Sequence, residues 1–378
     1  MILKRLRFVL FVVVCLYQAS AIAAAPKAWG YMGWWLPDSW RSVPLGDFDR
    51  LLFFELKVEP NGAITERHGW PEQWSDLQQA LKKNQTPLDL TLTVLDPETF
   101  NRLFTSPEAT QRLLDEASTL GSEVDVAGIQ LDVEIYSFVP PGTVTRYRAF
   151  VQALSERLHQ QLPSRNLSVF FPMGGVSELY DASTLAQVDQ LVLQGYDAHW
   201  AGSKAAGPVA PLVGNEAVTW EKAVAKGLSL GVPRERLLLG FPLYGYEWPV
   251  KGRQLRSATI GKGVSTTFAP VAGGSLPDFP VNVQQQVQQY GATHDAASGS
   301  SYYQFKRKNG QFVEGWFEDW WALGRKTDFL RQEQLGGIAF FLLGYDEGHL
   351  VDYFLRRRGP RSQDDSPLRI QKILDAAS

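Results

Sequence analysis

The amino-acid sequence predicts an α/β fold, a closed (β/α)8 TIM barrel with a small insertion between the seventh strand and the last helix and strand. Strand-like apolar runs alternate along the 378 residues with helical or loop stretches, which is typical of parallel strands joined by crossover helices. Eight such runs suit a closed barrel, for which about 250 residues is the usual length. The chain after residue 25 exceeds that length by roughly a hundred residues, which one insertion and a tail account for.

Each predicted element rests on a local pattern. The strands are the apolar runs at 28–35, 51–58, 88–95, 126–136, 167–172, 188–196, 237–243 and 337–343. The helices predicted between them, at 108–120, 145–161 and 219–230, carry apolar residues three and four positions apart. The barrel domain is expected over 26–358, and its insertion at 248–314 is rich in Gly, Ser, Gln and Tyr. The charged segment 359–378 is predicted to be a solvated C-terminal tail.

The N-terminus has the three parts of a secretory signal peptide, predicted at 1–25. Three basic residues precede an apolar run at 8–17, and small residues lead to Ala25 before Pro26. We therefore expect cleavage after Ala25 and a secreted or periplasmic protein. We expect no stable membrane insertion, because ten apolar residues are too few to span a bilayer; an uncleaved anchor is the alternative. Cleavage would also remove Cys15, the single cysteine, and with it any disulfide or thiol nucleophile.

Charge and histidine placement exclude two classes of function. The chain has 37 basic and 40 acidic residues, which removes any broad electrostatic case for a nucleic-acid partner. Its five histidines are scattered with no pair at ligand spacing, and no Gly-rich phosphate loop follows a predicted strand. We therefore expect no metal and no cofactor. The sequence leaves the oligomeric state unknown.

The fourth predicted strand does not have the pattern of a core strand. Side chains alternate faces along a strand, so the apolar residues at 129, 131, 133 and 135 share one face. The other face carries Gln130, Asp132 and Glu134 and would point into the barrel. Barrel interiors are usually filled by bulky apolar residues, and carboxyls placed there are costly unless they are paired or used. An exposed edge strand with one polar face is the alternative.

The spacing of Asp132 and Glu134 suits acid–base chemistry. Carboxyls two residues apart on one face have Cβ atoms roughly 6 to 7 Å apart, so they can share a proton and separate their pKa values. Glu134, at the carboxyl end of the strand where barrel enzymes hold their chemistry, is expected to stay protonated and to donate to a leaving group. Asp132 would then be its charge partner.

Five motifs are recognisable along the chain. They are Ala-Gly-Ile-Gln-Leu-Asp-Val-Glu at 127–134, Trp-Gly-Tyr-Met-Gly-Trp-Trp at 29–35, Gln-Gly-Tyr-Asp at 194–197, Gly-Phe-Pro-Leu-Tyr-Gly at 240–245 and Gly-Gly-Ile-Ala-Phe-Phe at 336–341. The first resembles the Asp-Gly-x-Asp-x-Asp-x-Glu signature of glycoside hydrolase family 18, the chitinase-like family. The others are similar to that family's first, sixth, seventh and last strands, so the resemblance covers most of the chain after residue 25.

The resemblance implies a glycosidase that acts on glycans containing β-linked N-acetylglucosamine, such as chitin. It implies a retaining, substrate-assisted mechanism in which the sugar's own acetamido oxygen is the nucleophile. By position, Glu134 would be the general acid/base, and Asp132 would orient and polarise the acetamido group. Tyr196 would donate a hydrogen bond to the acetamido carbonyl, and Asp197 would contact the sugar or the acetamido group. The expected partner is therefore a polysaccharide or oligosaccharide of N-acetylated sugars.

Further substrate contacts are expected at the strand ends, where aromatic faces suit stacking on pyranose rings. Trp34, Trp200 and Trp248 follow the first, sixth and seventh strands, although core packing is an equal alternative for each. The remaining residues expected in the cleft are Gln130, Gln194, Tyr244 and Phe341. Glu55 on the second strand either lines the barrel or belongs to a salt bridge at its rim, and Tyr136 either reaches the cleft or supports it.

Several positions depart from the family pattern. Ala127 and Gln130 stand where the signature has its first two aspartates, so Asp132 is expected to lack an acidic neighbour and to be permanently ionised. Phe341 stands where chitinases commonly place a tryptophan, and the third strand lacks the family's Ser-x-Gly-Gly. Two alternatives stay open. One is a non-catalytic carbohydrate-binding protein, although such members usually lose the acid; the other is a hydrolase of another N-acetylated polymer, such as peptidoglycan or an exopolysaccharide.

Overall fold

Eight parallel strands form a closed barrel in the computed structural model, which describes residues 25–271 and 278–359. The strands are β1 (Lys27–Gly33), β2 (Arg50–Lys57), β3 (Leu88–Val94), β4 (Gly128–Val133), β5 (Asn166–Phe171), β6 (Gln190–Leu193), β7 (Leu237–Pro242) and, after the insertion, β14 (Gly337–Phe341). Each strand pairs with its neighbours in chain order, and β14 closes the ring between β7 and β1. The predicted barrel and its eight strands are confirmed.

Helices follow most of the barrel strands. They are α1 (Ser75–Asn84), α2 (Pro97–Thr105), α3 (Pro107–Gly121), α4 (Pro141–Gln161), α5 (Ala182–Ala186), α6 (Trp220–Ser229), α7 (Val283–Tyr290), α8 (Trp320–Gln332) and α9 (His349–Arg357). The three helices predicted from periodicity are confirmed as α3, α4 and α6. Ser106 and Thr219 cap α3 and α6, since each side chain accepts a hydrogen bond of 3.1 Å from a backbone amide of the first turn.

A second, smaller sheet lies between β7 and α8. Its strands are β8 (Tyr244–Val250), β9 (Val264–Thr267), β10 (Val281–Asn282), β11 (Thr293–Asp295), β12 (Ser300–Lys306) and β13 (Phe312–Phe317). Their order across the sheet is β10, β9, β8, β13, β12, β11. The strands of this sheet thus begin a few residues before the predicted insertion at 248–314, directly after β7, and end at Phe317, just beyond it.

The fourth strand is buried along its whole length, which excludes an exposed edge strand. Ile129, Leu131 and Val133 lie in the apolar core, as the alternation predicts. Gly128 begins the strand because β5 comes very close there: a Cβ at this position would lie 2.2 Å from the carbonyl oxygen of Asn166. A side chain at 128 would therefore push β4 and β5 apart and displace the polar residues that follow it.

Two predicted segments lie almost wholly outside the described residues. The signal peptide at 1–25 and the tail at 359–378 enter the described part only at Ala25 and Gly359. Of the helices in that part of the chain, none is both long enough and apolar enough to cross a membrane.

Candidate active site

The carboxyl end of β4 places Asp132 and Glu134 inside the mouth of the barrel. Asp132 lies opposite Thr93 of β3 and Phe170 of β5 in the strand register, and its side chain is buried. Glu134 follows directly after the strand, held by a 3.0 Å hydrogen bond from its amide to the carbonyl of Val94, and it is partly exposed. The deeper carboxyl is thus enclosed, while the outer one is open to a ligand that enters the mouth.

The carboxyl of Asp132 is held in an unusual environment. Its Oδ1 is buried and has no hydrogen-bond partner among the described residues. Burial raises the pKa of Asp132 well above its usual range, and the charges of Glu134 and Glu55 raise it further. This shift runs against the expectation that Asp132 is permanently ionised, and the expected lack of an acidic neighbour is wrong. The neighbour that the motif lacks at position 130 is supplied by Glu55 of β2.

Glu134 is tuned by burial and by one hydroxyl. Burial raises the pKa of Glu134, which favours the protonated form that a general acid needs. The hydroxyl of Tyr136 donates a 2.5 Å hydrogen bond to Glu134 Oε2 and opposes that shift. The bond occupies Oε2 and restrains the carboxyl.

Gln130 lies one layer below Asp132, where it supports the site from beneath and is not exposed in the barrel mouth. Its Oε1 accepts a 3.3 Å hydrogen bond from Thr91 and its Nε2 donates a 3.4 Å hydrogen bond to Ser168, which ties β4 to β3 and β5. The side chain is fully buried. The expected contact between Gln130 and substrate is therefore wrong, because the amide has no surface to offer a sugar.

Tyr196 stands in the barrel mouth between two other rings. Its ring centroid is 6.2 Å from that of Phe170 and 6.0 Å from that of Phe341, at interplanar angles of 27° and 29°. Gly240 of β7 makes room for it, since a Cβ there would lie 2.7 Å from Tyr196 Cε1. Burial, followed by the charges of neighbours including Glu134, raises the pKa of Tyr196 well above its usual range, so its hydroxyl is a neutral hydrogen-bond donor.

Asp197 has a left-handed backbone conformation, with φ of 61°, which turns its carboxyl toward the second sheet. Its Oδ1 accepts hydrogen bonds of 2.8 Å from Tyr244 and 3.2 Å from Tyr246, both on β8. Burial raises the pKa of Asp197 to about 6, although both hydroxyls act in the opposite direction. The predicted residues Asp197 and Tyr244 are thus directly bonded, and they join the barrel to the insertion.

Aromatic rings form the floor of the mouth. The half-buried ring of Phe341 has its centroid 5.4 Å from that of Tyr31, 5.3 Å from Phe54, 6.0 Å from Tyr196 and 6.4 Å from Tyr244. Phe341 and Phe54 are the half-buried members of this group. An apolar floor beside carboxyls matches a ligand with an apolar ring face and polar edges.

The three predicted tryptophans have different surroundings. Trp34 is 38% exposed and stacks on His68 with ring centroids 4.0 Å apart, and Trp200 is 52% exposed. Trp248 is fully buried, and its Nε1 donates a 3.2 Å hydrogen bond to the carbonyl of Trp200. The expectation that Trp248 binds substrate is wrong, because packing takes both ring faces. Trp34 and Trp200 keep an open face and remain candidates.

Gln194 has a bracing contact in addition to its place near the mouth. Its Oε1 accepts a 2.9 Å hydrogen bond from the amide of Met173, in the loop after β5. The side chain is buried but keeps 8% of its surface exposed, and its contact with substrate stays a prediction.

The sequence of most of this chain matches one known family. Residues 36–346 match the family described as glycosyl hydrolases family 18. The chain belongs to this family. The class V chitinase of Arabidopsis thaliana is 24% identical over 288 residues, which cover 71% of this chain and 72% of the relative. The cortical fragment-lytic enzyme of Bacillus anthracis is 21% identical over 312 residues, which cover 78% of this chain and 64% of the relative.

The family 18 chain spans about two-thirds of the length of the curated relatives it matches. A solved structure with the same fold is the GH18 chitinase from Cycas revoluta in complex with (GlcNAc)3. It has a TM-score of 0.72 at 17% sequence identity, and the match covers 88% of this chain and 99% of that one.

Sequence reasoning missed two residues of this family 18 site and left Tyr136 and Glu55 undecided. Tyr31 and Tyr246 were missed, and alternation could have indicated Tyr246, which lies two residues after Tyr244 and so shares its face. The same rule places Tyr136 on the side of Glu134. Glu55 had no comparable signal, because the alternation of β2 is interrupted just there.

Replacing Asp197 with asparagine should stabilise the protein at alkaline pH. Folding raises the pKa of Asp197 from 3.8 to about 6, so the native state binds this proton more tightly than the unfolded state. Stability is therefore lost as pH rises from about 4 to above 6, by up to about 3 kcal/mol for a shift of this size. Asparagine has no proton to lose and tolerates a left-handed backbone, so we expect a gain of about 1 to 3 kcal/mol at pH 8 and none at pH 4.

Urea unfolding of both proteins at the two pH values measures the gain. The exposed Asp125, replaced with asparagine, is the matched control and should show no difference. A gain of the same size at pH 4 and pH 8 would contradict the assignment to this proton.

Proposed function

We propose that the protein is an exported glycosidase that hydrolyses glycans containing β-linked N-acetylglucosamine by a retaining, substrate-assisted mechanism. The observation that carries the proposal is the pair of carboxyls at the end of β4, one enclosed and one open, set in an aromatic-floored barrel mouth. The predicted signal peptide supports export to the periplasm or the exterior. The presence of Glu134 favours an enzyme over a non-catalytic carbohydrate-binding protein, which would not need a proton donor.

In the first step, Glu134 donates its proton to the glycosidic oxygen as the bond from that oxygen to the anomeric carbon breaks. The acetamido carbonyl oxygen of the same sugar attacks the anomeric carbon and forms a cationic oxazolinium ring. Asp132 accepts a hydrogen bond from the acetamido N–H and stabilises the positive charge, while Tyr196 donates a hydrogen bond that holds the acetamido group for attack.

In the second step, Glu134 acts as the base. Its carboxylate takes a proton from water, and the water oxygen adds to the anomeric carbon and opens the oxazolinium ring. Two displacements on the same carbon leave the product with the anomeric configuration of the substrate. The raised pKa values of Asp132 and Glu134 suit this cycle, because a closely placed pair holds one proton over a wide pH range.

Chitin oligosaccharides are the first substrate to test. The Arabidopsis relative is a class V chitinase, and the Cycas structure of the same fold is a chitinase in complex with (GlcNAc)3. Peptidoglycan is the second candidate, and a different observation favours it. The Bacillus anthracis relative, whose match covers 78% of this chain, is a cortical fragment-lytic enzyme. The change at Phe341, which is half-buried in the floor of the mouth, is consistent with a substrate other than ordinary chitin.

A substrate panel with anomer analysis tests the proposal. The purified protein is incubated with chitin oligomers, peptidoglycan and an N-acetylated exopolysaccharide, and the new reducing ends are followed by NMR. We expect turnover of at least one of them with the β-anomer formed first. Formation of the α-anomer first, or no turnover of any N-acetylated glycan, would overturn the proposal.

An N-acetylglucosamine thiazoline should inhibit the enzyme competitively. This compound mimics the oxazolinium ring, and transition-state-like mimics bind an enzyme more tightly than its substrate by at least about 100-fold. Inhibition is measured on the best substrate of the panel, with free N-acetylglucosamine at the same concentration as the control. An active enzyme that is indifferent to the thiazoline would show that substrate assistance is wrong even though the fold is right.

A further inference from the structure

Glu55 is a third carboxyl in the barrel mouth, and it comes from a different strand than Asp132 and Glu134. It lies near the end of β2 with 7% of its surface exposed. Its Oε2 accepts a 2.7 Å hydrogen bond from the hydroxyl of Thr93. This partner is a neutral hydroxyl of the next strand and not a basic side chain, so the bond does not neutralise a charge on the carboxyl.

A break in strand pairing turns Glu55 toward the interior. The register between β2 and β3 shifts between Phe53 and Leu56, and such an irregularity interrupts the alternation of faces. Phe53 packs outward against Trp70 and Trp74. Strict alternation would send Glu55 the same way, yet its carboxyl bonds Thr93 inside the barrel.

Thr93 connects Glu55 to the catalytic strand. Thr93 and Asp132 are register partners on β3 and β4, so their side chains lie side by side on the interior face. Along the wall of the mouth, the side chains therefore lie in the order Glu55, Thr93, Asp132. Gln130 cannot take the part of an acid here, since it is an amide whose two ends are bonded to other strands.

We propose that Glu55 is a positioning residue of the active site, whose buried carboxylate, held by Thr93, controls the charge state of Asp132. Its consequence for catalysis rests on the proposed function; its consequence for Asp132 does not. In this arrangement the acid that the family signature carries on β4 is replaced by one on β2. The charge state of Asp132 is thus set by two other carboxyls, Glu55 and Glu134, and not by Glu134 alone.

The other ionisable groups that act on these carboxyls are tyrosines, a histidine and Asp197, whose pKa burial raises to about 6. Burial raises the pKa of the tyrosines that interact electrostatically with Asp132, which are Tyr31, Tyr136, Tyr147, Tyr180 and Tyr196. His68 faces Glu55, and burial lowers its pKa. Lys57, at the end of β2, pairs with Glu66 at the surface. The charges of Glu134 and Glu55, which act in addition to burial, are thus the ones that raise the pKa of Asp132.

Glu55→Gln tests the proposal, because glutamine keeps the shape and can still accept the hydrogen bond from Thr93. Asp132 is followed by carboxyl-carbon NMR in protein labelled at the aspartate side chains, with Asp132→Asn used to assign the signal. Loss of a nearby negative charge makes Asp132 easier to ionise, so we expect its titration midpoint to fall by roughly one pH unit. Glu59→Gln, which makes the same charge change in the loop after β2, is the matched control and should leave the midpoint unchanged.

An unchanged midpoint in Glu55→Gln would overturn the proposal. If that variant does not fold, Thr93→Val and Thr93→Ser decide: a shift in Thr93→Val that serine restores supports it, and identical midpoints overturn it. The titration needs no substrate, so it stays decisive if no glycan is hydrolysed and the proposed function fails. If the enzyme is active, the pH profile of kcat in Glu55→Gln should move to lower pH by the same amount, and a profile that does not move would contradict the proposal.

Discussion

Glu134→Gln should lower kcat by about 10² to 10⁴-fold, the usual contribution of a general acid, with little change in the affinity for substrate. Glutamine has the shape of the carboxyl but cannot transfer a proton to the glycosidic oxygen. The hydroxyl of Tyr136, 2.5 Å from Glu134 Oε2, can still donate to the amide oxygen of the variant. The geometry of the mouth should therefore survive while the chemistry stops.

Initial rates on the best substrate of the panel give the effect on kcat, and calorimetry with an oligosaccharide gives the effect on binding. The exposed Glu178, in the loop after β5, provides the matched control as Glu178→Gln. Turnover by Glu134→Gln at the rate of the control would show that the acid is elsewhere. A variant that neither turns over nor binds, and has lost its cooperative unfolding, would point to a structural role for Glu134.

Asp132→Asn should have the second-largest effect, a loss of about 10²-fold or more in kcat, on the scale of a removed electrostatic contact to the transition state. Asparagine cannot carry the negative charge that stabilises the oxazolinium ion. It also removes one of the carboxyls that share a proton, so Glu134 should titrate with a simpler profile and ionise at lower pH. The activity lost should therefore be accompanied by a shift of the alkaline limb toward lower pH.

The same change should not weaken the fold. Folding raises the pKa of Asp132 through burial and through the charges of Glu134 and Glu55, so ionisation of this group costs stability as pH rises through the native value. Asparagine avoids that cost, and we expect a melting temperature at pH 8 equal to or above that of the wild type. A fall in melting temperature together with the loss of activity would indicate that Asp132 is a structural residue.

The carboxyl pair of β4 and the barrel elements could be predicted from the sequence, because the strand and helix periods relate residues that are close together in the chain. An alternation of two residues separated the apolar face of 128–135 from the face that carries Asp132 and Glu134. The strands and the helices α3, α4 and α6 followed from periods of two and of about 3.6 residues. The secretion signal, also a local pattern, remains a prediction because 1–24 lie outside the described residues.

The errors share a different cause. Trp248 follows a strand as an exposed ring would, but the insertion packs around it and leaves it fully buried. Gln130 lies on the correct face for the site, but one layer too deep to meet a ligand. Depth along the barrel axis and cover by a distant segment are set by packing between elements, and no spacing within one strand encodes them.

The sequence by itself determined the barrel, the pair of carboxyls on one strand and the family, since each depends on residues that are neighbours along the chain. Only the tertiary structure decided which groups surround those carboxyls. Closing the ring brought Glu55 and Thr93, some forty to eighty residues away in the chain, next to Asp132. Charges act through space, so the electrostatics of a buried site are settled only when all the strands that enclose it are in place.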